Sequence, residues 1–185
     1  MAITVVRPAR AEIRKGVARF ADLQRCETGL PDMGLPGCRR AFLNVLGFSQ
    51  PRGDGQYSPF GDMAPAAISH LQAGHGIAFV RARPGNGVLM HTHDTVEGFV
   101  VIDGRWILES ECEDGVDRVE LGPLDYIAFP VGVQRRFECI EAPPGGIEGT
   151  LLGIIAGDAP AAEISPEGVE TLVAAGLMAP PRAAA

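Results

Sequence analysis

The sequence has few basic residues for its length, and they never form a long run. Its 185 residues carry 16 Lys and Arg against 23 Asp and Glu, which gives a net charge of -7 and a pI of about 5.1. No run of lysine or arginine is longer than a pair such as Arg39-Arg40. Because proteins that bind nucleic acid neutralise phosphates with clustered cations, this composition argues against nucleic-acid partners.

Cysteines and long apolar runs are also scarce. The four cysteines form no Cys-x-x-Cys pair, which favours free thiols and a cytoplasmic location over a disulfide framework or a zinc knuckle. No apolar run approaches the roughly 18–20 residues of a membrane span, and the N-terminus lacks the apolar stretch of a signal peptide. We therefore expect a soluble protein without membrane partners.

Familiar catalytic motifs are missing too. The chain has no phosphate-binding Walker loop, dinucleotide-binding glycine fingerprint, Ser-His-Asp set or carboxylate dyad at usable spacing. Attention therefore falls on histidine, which occurs only four times. Two of the four, His91 and His93, are separated by one residue in the stretch GNGVLMHTHDTVEGFVVIDG (85–104), and Glu97 follows four residues later.

Three regions of the chain differ in sequence pattern. Residues 1–68 are mixed and rich in turns, and we interpret them as an N-terminal extension with a dimerisation strand or helix. Residues 69–158 contain short apolar runs separated by Gly, Pro and Asp at spacings of about ten residues, which is typical of a small β-barrel or sandwich. Residues 159–185 are predicted to form a helix and tail, because Ser165 and Pro166 provide a helix start.

The side chains of His91, His93 and Glu97 are predicted to converge. Alternate residues of a strand share a face, and a bend after the second histidine can bring the glutamate beside both imidazoles. Burying these groups costs free energy unless a cation satisfies them. Two histidines and a carboxylate with open positions form the ligand set of non-haem Fe(II) oxygen chemistry, and Zn, Mn or Ni fits the same atoms. The sequence therefore predicts a divalent-metal site, with Fe(II) favoured.

The order Gly85, His91, His93, Glu97, Gly104 resembles the first motif of the cupin superfamily in residue type and in spacing. The resemblance covers the β-rich region and not the first sixty-odd residues. It implies a mainly β fold, a jelly-roll β-barrel open at one end, and the sequence pattern places the N-terminal extension before this barrel and the short C-terminal helix after it. It also implies a metal held by the two histidines, the glutamate and one histidine of a second motif.

That second motif, Pro-x-Gly-x-x-His, is incomplete in this chain. The matching stretch PVGVQR (130–135) keeps its proline and glycine but ends in Arg135. A guanidinium cannot ligate a metal, because it stays protonated and offers only donors. Three interpretations are open: Arg135 clamps an anionic group of the substrate, Gln134 or His75 supplies a fourth ligand, or Arg135 pairs with Glu97 in a metal-poor pocket.

The ligand set and the resemblance together favour a small metal-dependent enzyme. We expect a dioxygenase-type oxidoreductase acting on a small acidic or aromatic molecule; the alternatives are a cupin isomerase or lyase, or a non-catalytic cupin that binds a small ligand as a sensor or storage module. Phe99, Val101, Ile127 and Phe129 are expected to line the pocket. Because cupins commonly cover exposed sheet edges by pairing, we also expect a homodimer in which the N-terminal segment adds to the partner's sheet.

Overall fold

The structure of the protein is a computed structural model that describes residues 3–48, 60 and 65–180. Within these ranges the chain is mainly β, with two α-helices, α1 (Arg10–Lys15) and α2 (Pro166–Ala174), and two short 3-10 helices, Phe20–Asp22 and Pro31–Gly34. The strands in chain order are β1 Arg25–Cys26, β2 Arg40–Leu46, β3 His75–Ala82, β4 Asn86–Gly87, β5 His91–His93, β6 Glu97–Asp103, β7 Arg105–Cys112, β8 Gly115–Leu121, β9 Tyr126–Phe129, β10 Arg135–Glu141, β11 Gly149–Ala156 and β12 Ala162–Ile164.

These strands form two antiparallel sheets that share one core. The first sheet has the order β1-β2-β3-β11-β6-β9, and the second has the order β12-β5-β10-β7-β8, with β4 paired to β10. Strands that are distant in the chain, such as β3 and β11, are neighbours in space. This arrangement confirms the mainly β, jelly-roll fold that the short apolar runs and the histidine motif predict.

Inward-facing side chains of both sheets meet in an apolar core. Phe137 of β10 packs edge-to-face against Phe99 of β6 and Trp106 of β7, with ring centroids 5.4 and 5.9 Å apart. The Nε1–H group of Trp106 donates to the carbonyl of Asp103 at 3.1 Å, so the buried indole leaves no polar atom unsatisfied. The buried members of this core cluster are Val80, Ala82, Val88, Phe99, Val101, Trp106, Leu108, Leu121, Phe129, Phe137, Cys139 and Leu151.

The two glycines that bracket the histidine motif have left-handed backbone conformations. Their φ angles are +78° at Gly85 and +75° at Gly104, a region that favours glycine because a Cβ atom is strained there. A Cβ on Gly104 would also lie 2.5 Å from the carbonyl oxygen of Glu141. Any side chain at position 104 would therefore push β10 away from the turn between β6 and β7.

Two strands of the barrel come from residues that sequence pattern places in the N-terminal extension. β2 pairs with β3 from Arg40 opposite Ala82 to Leu46 opposite Ile77, and β1 pairs with β2. This part of the segment thus adds to the first sheet of its own chain. β2 is buried on both faces, so its sequence RAFLNVL lacks the alternation that identifies a half-buried strand.

The C-terminal region contains the predicted helix. The hydroxyl of Ser165 caps α2 by accepting from the backbone N–H of Gly168 at 3.1 Å, and Pro166 occupies the first helical position. Leu172, on the inner face, is fully buried against Leu35. Among the described residues, no helix has both the length and the apolar character needed to cross a membrane.

Candidate metal centre

The two histidines of the motif project from one short strand. β5 lies between β12 and β10 in the second sheet, where His91 pairs with Ile164 on one side and with Arg135 on the other. The rings of His91 and His93 lie edge to face, with their centroids 5.1 Å apart. Because they are alternate residues of one strand, both side chains reach the same cavity.

Glu97 approaches the histidines from the opposite sheet. It is the first residue of β6, where it pairs with Phe129 of β9 and Ile155 of β11. His93 Nε2 lies 3.6 Å from Glu97 Oε1, and the candidate ligand atoms of His91, His93 and Glu97 all lie within 4.8 Å of one another. The three side chains therefore form a group that can hold a metal ion, which we call the triad.

Backbone carbonyls fix the tautomers of both imidazoles. His91 Nδ1 lies 2.9 Å from the carbonyl oxygen of Leu89, and His93 Nδ1 lies 2.9 Å from that of Ala161. A carbonyl can only accept, so each Nδ1 carries the proton and each Nε2 keeps its lone pair. This is the arrangement in which metal-binding histidines are held by their surroundings, and it makes the donor set suitable for a divalent ion.

Burial keeps both imidazoles neutral. It lowers the pKa of His91 to about 4, against the opposing attraction of the Glu97 carboxylate. Burial lowers the pKa of His93 as well, and the positive charge of Arg135 acts in the same direction. Near pH 7 the two Nε2 atoms are therefore free of protons, which removes one cost of binding a metal.

We expect the metal-free protein to lose stability as the pH falls from about 6.5 towards 4. The pKa of His91 is lower in the folded chain than in the unfolded chain, so unfolding takes up a proton in this window. The stabilisation is complete above the unfolded pKa and is lost as the pH falls to the folded pKa; it amounts to at most about 3 kcal/mol. Urea unfolding in the presence of EDTA at several pH values measures it. A His91→Gln variant should show a smaller slope, and an equal slope in both proteins would contradict the assignment.

Arg135 points inward and pairs with the carboxylate of the triad. Its side chain is 1% exposed; Nε donates to Glu97 Oε2 at 3.2 Å and Nη1 donates to the carbonyl of Val133 at 2.9 Å. Nη2 is buried and has no partner among the described residues. The contact between Arg135 and Glu97 is the one expected from the third interpretation, in which these two residues form an ion pair. The other carboxylate oxygen of Glu97, Oε1, still faces His93. The ion pair with Arg135 therefore leaves one carboxylate oxygen available to a metal ion.

Neither of the two candidates for a fourth ligand lines the cavity. Gln134 precedes β10, and its backbone carbonyl accepts from the N–H of Glu111 at 3.0 Å. His75 begins β3 and its Nδ1 contacts the carbonyl of Ala73 at 3.0 Å; it lies outside the group formed by the triad. Along β3 the buried positions start with the next residue, Gly76, so His75 is on the other face of the sheet.

The triad lies in a cavity of about 90 Å³ inside the barrel. Of the four residues expected to line it, Phe99 does so. Val101 and Phe129 are instead buried in the core cluster, and Ile127 packs against that cluster. The lining is apolar except at the triad and at one further charged pair; it comprises Leu30, Asp32, Arg40, Phe42, Phe48, Ala78, Val80, Val88, Leu89, His91, His93, Glu97, Phe99, Phe137, Gly153, Ile155, Pro160, Ala162 and Ile164.

The charged pair, Asp32 and Arg40, is part of the site that sequence reasoning missed. The two side chains are 4% and 0% exposed, and Arg40 Nη2 donates to Asp32 Oδ1 at 2.9 Å. One signal was present in the sequence: Arg40 opens the apolar stretch RAFLNVL, and a charge buried with such a stretch needs an opposite partner. Asp32 is the acidic residue that precedes it in the chain.

Comparisons with known proteins place the chain by its fold. No family model matches the sequence, and no curated protein matches it. Among solved structures, a sugar phosphate isomerase of the cupin superfamily from Silicibacter pomeroyi is 21% identical, with a TM-score of 0.51 and 80% of each chain covered. A cupin-2 domain protein from Rhodospirillum rubrum is 12% identical, with a TM-score of 0.52, 85% of this chain covered and 86% of that one.

A variant of oxalate decarboxylase from Bacillus subtilis is a third similar structure. It is 15% identical, with a TM-score of 0.50, and the match covers 85% of this chain but only 38% of that chain. At these identities the likeness concerns the fold and not the activity. Together with the two-sheet barrel and the spacing from Gly85 to Gly104, it identifies the chain as a protein with the cupin fold.

Proposed function

We propose that this protein is a metal-dependent cupin enzyme in which His91, His93 and Glu97 hold one divalent ion. The observation that carries the proposal is the convergence of the three ligand atoms in one cavity, with both imidazoles turned so that Nε2 is free. Fe(II) is favoured because two histidines and a carboxylate with open positions are its usual ligands in oxygen chemistry. Zn, Mn or Ni fits the same atoms.

The proposed reaction class is that of a dioxygenase-type oxidoreductase. When bound, Fe(II) supplies oxygen activation or polarisation of a substrate oxygen. The chain itself contributes three things: Arg135 holds Glu97 in one orientation, the carbonyls of Leu89 and Ala161 orient the imidazoles, and apolar side chains surround the site. These roles are independent of which substrate enters.

The proposed substrate is a small acidic or aromatic molecule. A cavity of about 90 Å³ admits only a small ligand, and the rings of Phe42, Phe99 and Phe137 line it. Arg135 has two of its three nitrogens engaged, so it is not available as a bidentate clamp for an anion. We instead assign it as a positioning residue for Glu97.

Two other functions each have an observation in their favour. The similarity in fold to a solved sugar phosphate isomerase favours a cupin isomerase or lyase, which would use the same ions without oxygen. The ion pair between Arg135 and Glu97 favours a non-catalytic binding module, because it satisfies the carboxylate when no metal is bound.

Binding of nitric oxide distinguishes the dioxygenase from the non-catalytic binding module. Protein loaded anaerobically with Fe(II) is expected to bind nitric oxide beside the triad and to give the electron paramagnetic resonance signal of a high-spin iron nitrosyl. Benzoate, as an aromatic carboxylate probe, should change that signal by entering the same cavity. A protein that binds Fe(II) without binding nitric oxide would contradict the dioxygenase proposal, and one that binds no Fe(II) would favour the binding module. His93→Ala is the negative control.

We also propose a homodimer that uses the exposed N-terminal arm, residues 3–9. Ile3, Val5 and Val6 are 93, 77 and 76% exposed, which is unusual for three apolar side chains so close together. The following helix, α1, buries none of its residues. Because β2 already pairs with β3, the arm is the part of the N-terminal region that is available to add to a partner's sheet.

Light scattering tests the assembly. The full chain at micromolar concentration should have the mass of two chains, and a variant that lacks residues 2–9 should have the mass of one. Replacing Lys15, an exposed residue of α1, with alanine serves as a control that should leave the mass unchanged. A monomeric full chain, or a dimer that the deletion does not affect, would contradict the proposal.

A cytoplasmic location is proposed from the thiols. All four cysteines are free; Cys26, Cys38 and Cys139 are buried, and Cys112 is exposed. Free thiols persist in a reducing compartment. Labelling of the native protein with a membrane-impermeant thiol reagent in intact cells should therefore fail at Cys112 and succeed after lysis.

A further inference from the structure

We infer that the buried ion pair of Asp32 and Arg40 positions His91 for metal binding. The inference rests on the proposed function, because it concerns a ligand of the triad. The pair lies in the wall of the same cavity, and both side chains are almost completely buried. Among its partners are backbone atoms of Gly87 and Leu89, on the segment that leads into β5.

A continuous series of hydrogen bonds joins the pair to His91. Arg40 Nη2 donates to Asp32 Oδ1 at 2.9 Å, and the backbone N–H of Leu89 donates to Asp32 Oδ2 at 3.3 Å. The carbonyl of the same residue, Leu89, accepts from His91 Nδ1 at 2.9 Å. Asp32 therefore fixes the peptide group that precedes Leu89. The imidazole of His91 is held by the carbonyl of the peptide group that follows Leu89.

Arg40 holds the same segment at a second point. Its Nη1 donates to the carbonyls of Gly87, at 3.1 Å, and Cys38, at 2.8 Å. Gly87 ends β4 and His91 begins β5, so Leu89 lies between two strands rather than inside one. A residue in that position lacks the ladder hydrogen bonds that hold a strand residue, and the ion pair supplies contacts in their place.

Stability alone is a weak reason for such a pair. A buried ion pair can often be replaced by apolar side chains without loss of stability, since desolvation offsets much of the attraction. What apolar side chains cannot do is accept from the N–H of Leu89 while orienting it. The function left to Asp32 and Arg40 is therefore to set the position of the Leu89 carbonyl, and through it the tautomer of His91.

Asp32→Asn tests this inference in the metal-free and the metal-bound protein. The amide has nearly the shape of the carboxylate, but Arg40 and Leu89 donate to different oxygens of Asp32, and in asparagine one of those two positions is an NH2 group that cannot accept. Long-range ¹H–¹⁵N spectra of the metal-free protein should show His91 leaving its single Nδ1–H tautomer while His93 keeps its own. Affinity for Zn²⁺, measured against a competing chelator, should fall by about 10- to 100-fold, the usual effect of losing an outer partner of a ligand.

The control is Glu148→Gln, which breaks an ion pair with Arg25 on the first sheet, outside the cavity lining. It should leave the His91 spectrum and the Zn²⁺ affinity unchanged. If Asp32→Asn does not fold, Arg40→Lys is measured instead, because it keeps the charge and loses the contacts to the backbone carbonyls; it should change His91 selectively.

A purely structural role gives a different result. In that case Asp32→Asn lowers the melting temperature while the folded protein keeps the His91 tautomer and the Zn²⁺ affinity, and this outcome would overturn the inference. The spectra of metal-free protein also separate the two proposals. If the wild-type chain binds no Zn²⁺, the proposed function fails, and the selective response of His91 still decides the role of Asp32.

Discussion

Replacing His91 or His93 with alanine is expected to abolish most metal binding. Each substitution removes one of three ligands, and the loss should exceed the roughly 100-fold that removal of an outer partner can cost. Because the imidazoles are already neutral near pH 7, the loss reflects the missing nitrogen and not a change in protonation. Zn²⁺ titration of the metal-free protein against a chelator, and elemental analysis after dialysis, give the affinity and the stoichiometry.

The other two histidines provide matched controls. His70 is exposed, and His75 lies outside the triad on the other face of its sheet. His70→Ala and His75→Ala should therefore retain the wild-type affinity. If His91→Ala and His93→Ala retain as much metal as the wild-type chain, the triad is not the binding site. If His75→Ala loses metal, a ligand lies outside the triad.

Arg135→His is expected to strengthen metal binding by at least about 10-fold, because it removes a positive charge from beside the ion and offers a nitrogen in its place. Position 135 is suited to this because it pairs directly with His91 across β5 and β10 and its side chain is buried next to Glu97. Nitric oxide binding should weaken at the same time, since a fourth protein ligand occupies a position that was open. Zn²⁺ titration measures the first effect, and the iron nitrosyl signal measures the second.

The next residue along the strand is the control. Arg136 has the opposite orientation and pairs with Glu109 on the outer face of the barrel, so Arg136→His should change neither measurement. An affinity that is unchanged in Arg135→His would mean that residue 135 does not reach the ion.

In the metal-free state Arg135→Ala should lower the free energy of unfolding by about 3 kcal/mol, because it leaves Glu97 buried without a cation. Added metal should restore much of that loss.

The triad could be predicted from the sequence because its determinants are local. His91 and His93 share a face through strand alternation, and the bend after them returns Glu97 to the same point. Gly85 and Gly104 mark the positions where the backbone must turn left-handed. The spacing of these residues in the sequence is therefore enough to predict that their side chains converge.

The role of Arg135 could not be predicted in the same way. Its contact with Glu97 joins β10 to β6, across the two sheets of the barrel. Which acceptor a buried guanidinium takes depends on side-chain conformations and on packing between these distant strands. The sequence could only limit the alternatives, because a guanidinium is never a metal ligand.

Long-range pairing also hid the contribution of the N-terminal region. β2 joins the barrel through β3, and Asp32 and Arg40 enter the cavity wall only because of that pairing.

The sequence also could not separate residues of the core from residues of the cavity wall. Phe99 and Val101 are both inward positions of β6, but only Phe99 reaches the cavity. Alternation defines the face of a strand and not the depth along the barrel.

The most direct test of the metal centre is a crystal structure of the protein with Zn²⁺, with diffraction data collected on both sides of the zinc absorption edge. We expect one anomalous peak in the cavity, about 2.0–2.2 Å from His91 Nε2, His93 Nε2 and a carboxylate oxygen of Glu97. Arg135 should remain on the opposite carboxylate oxygen, Oε2. Two results would contradict the assignment of the metal to the triad. One is a peak outside the cavity, and the other is a cavity that contains no peak and in which Arg135 still pairs with Glu97.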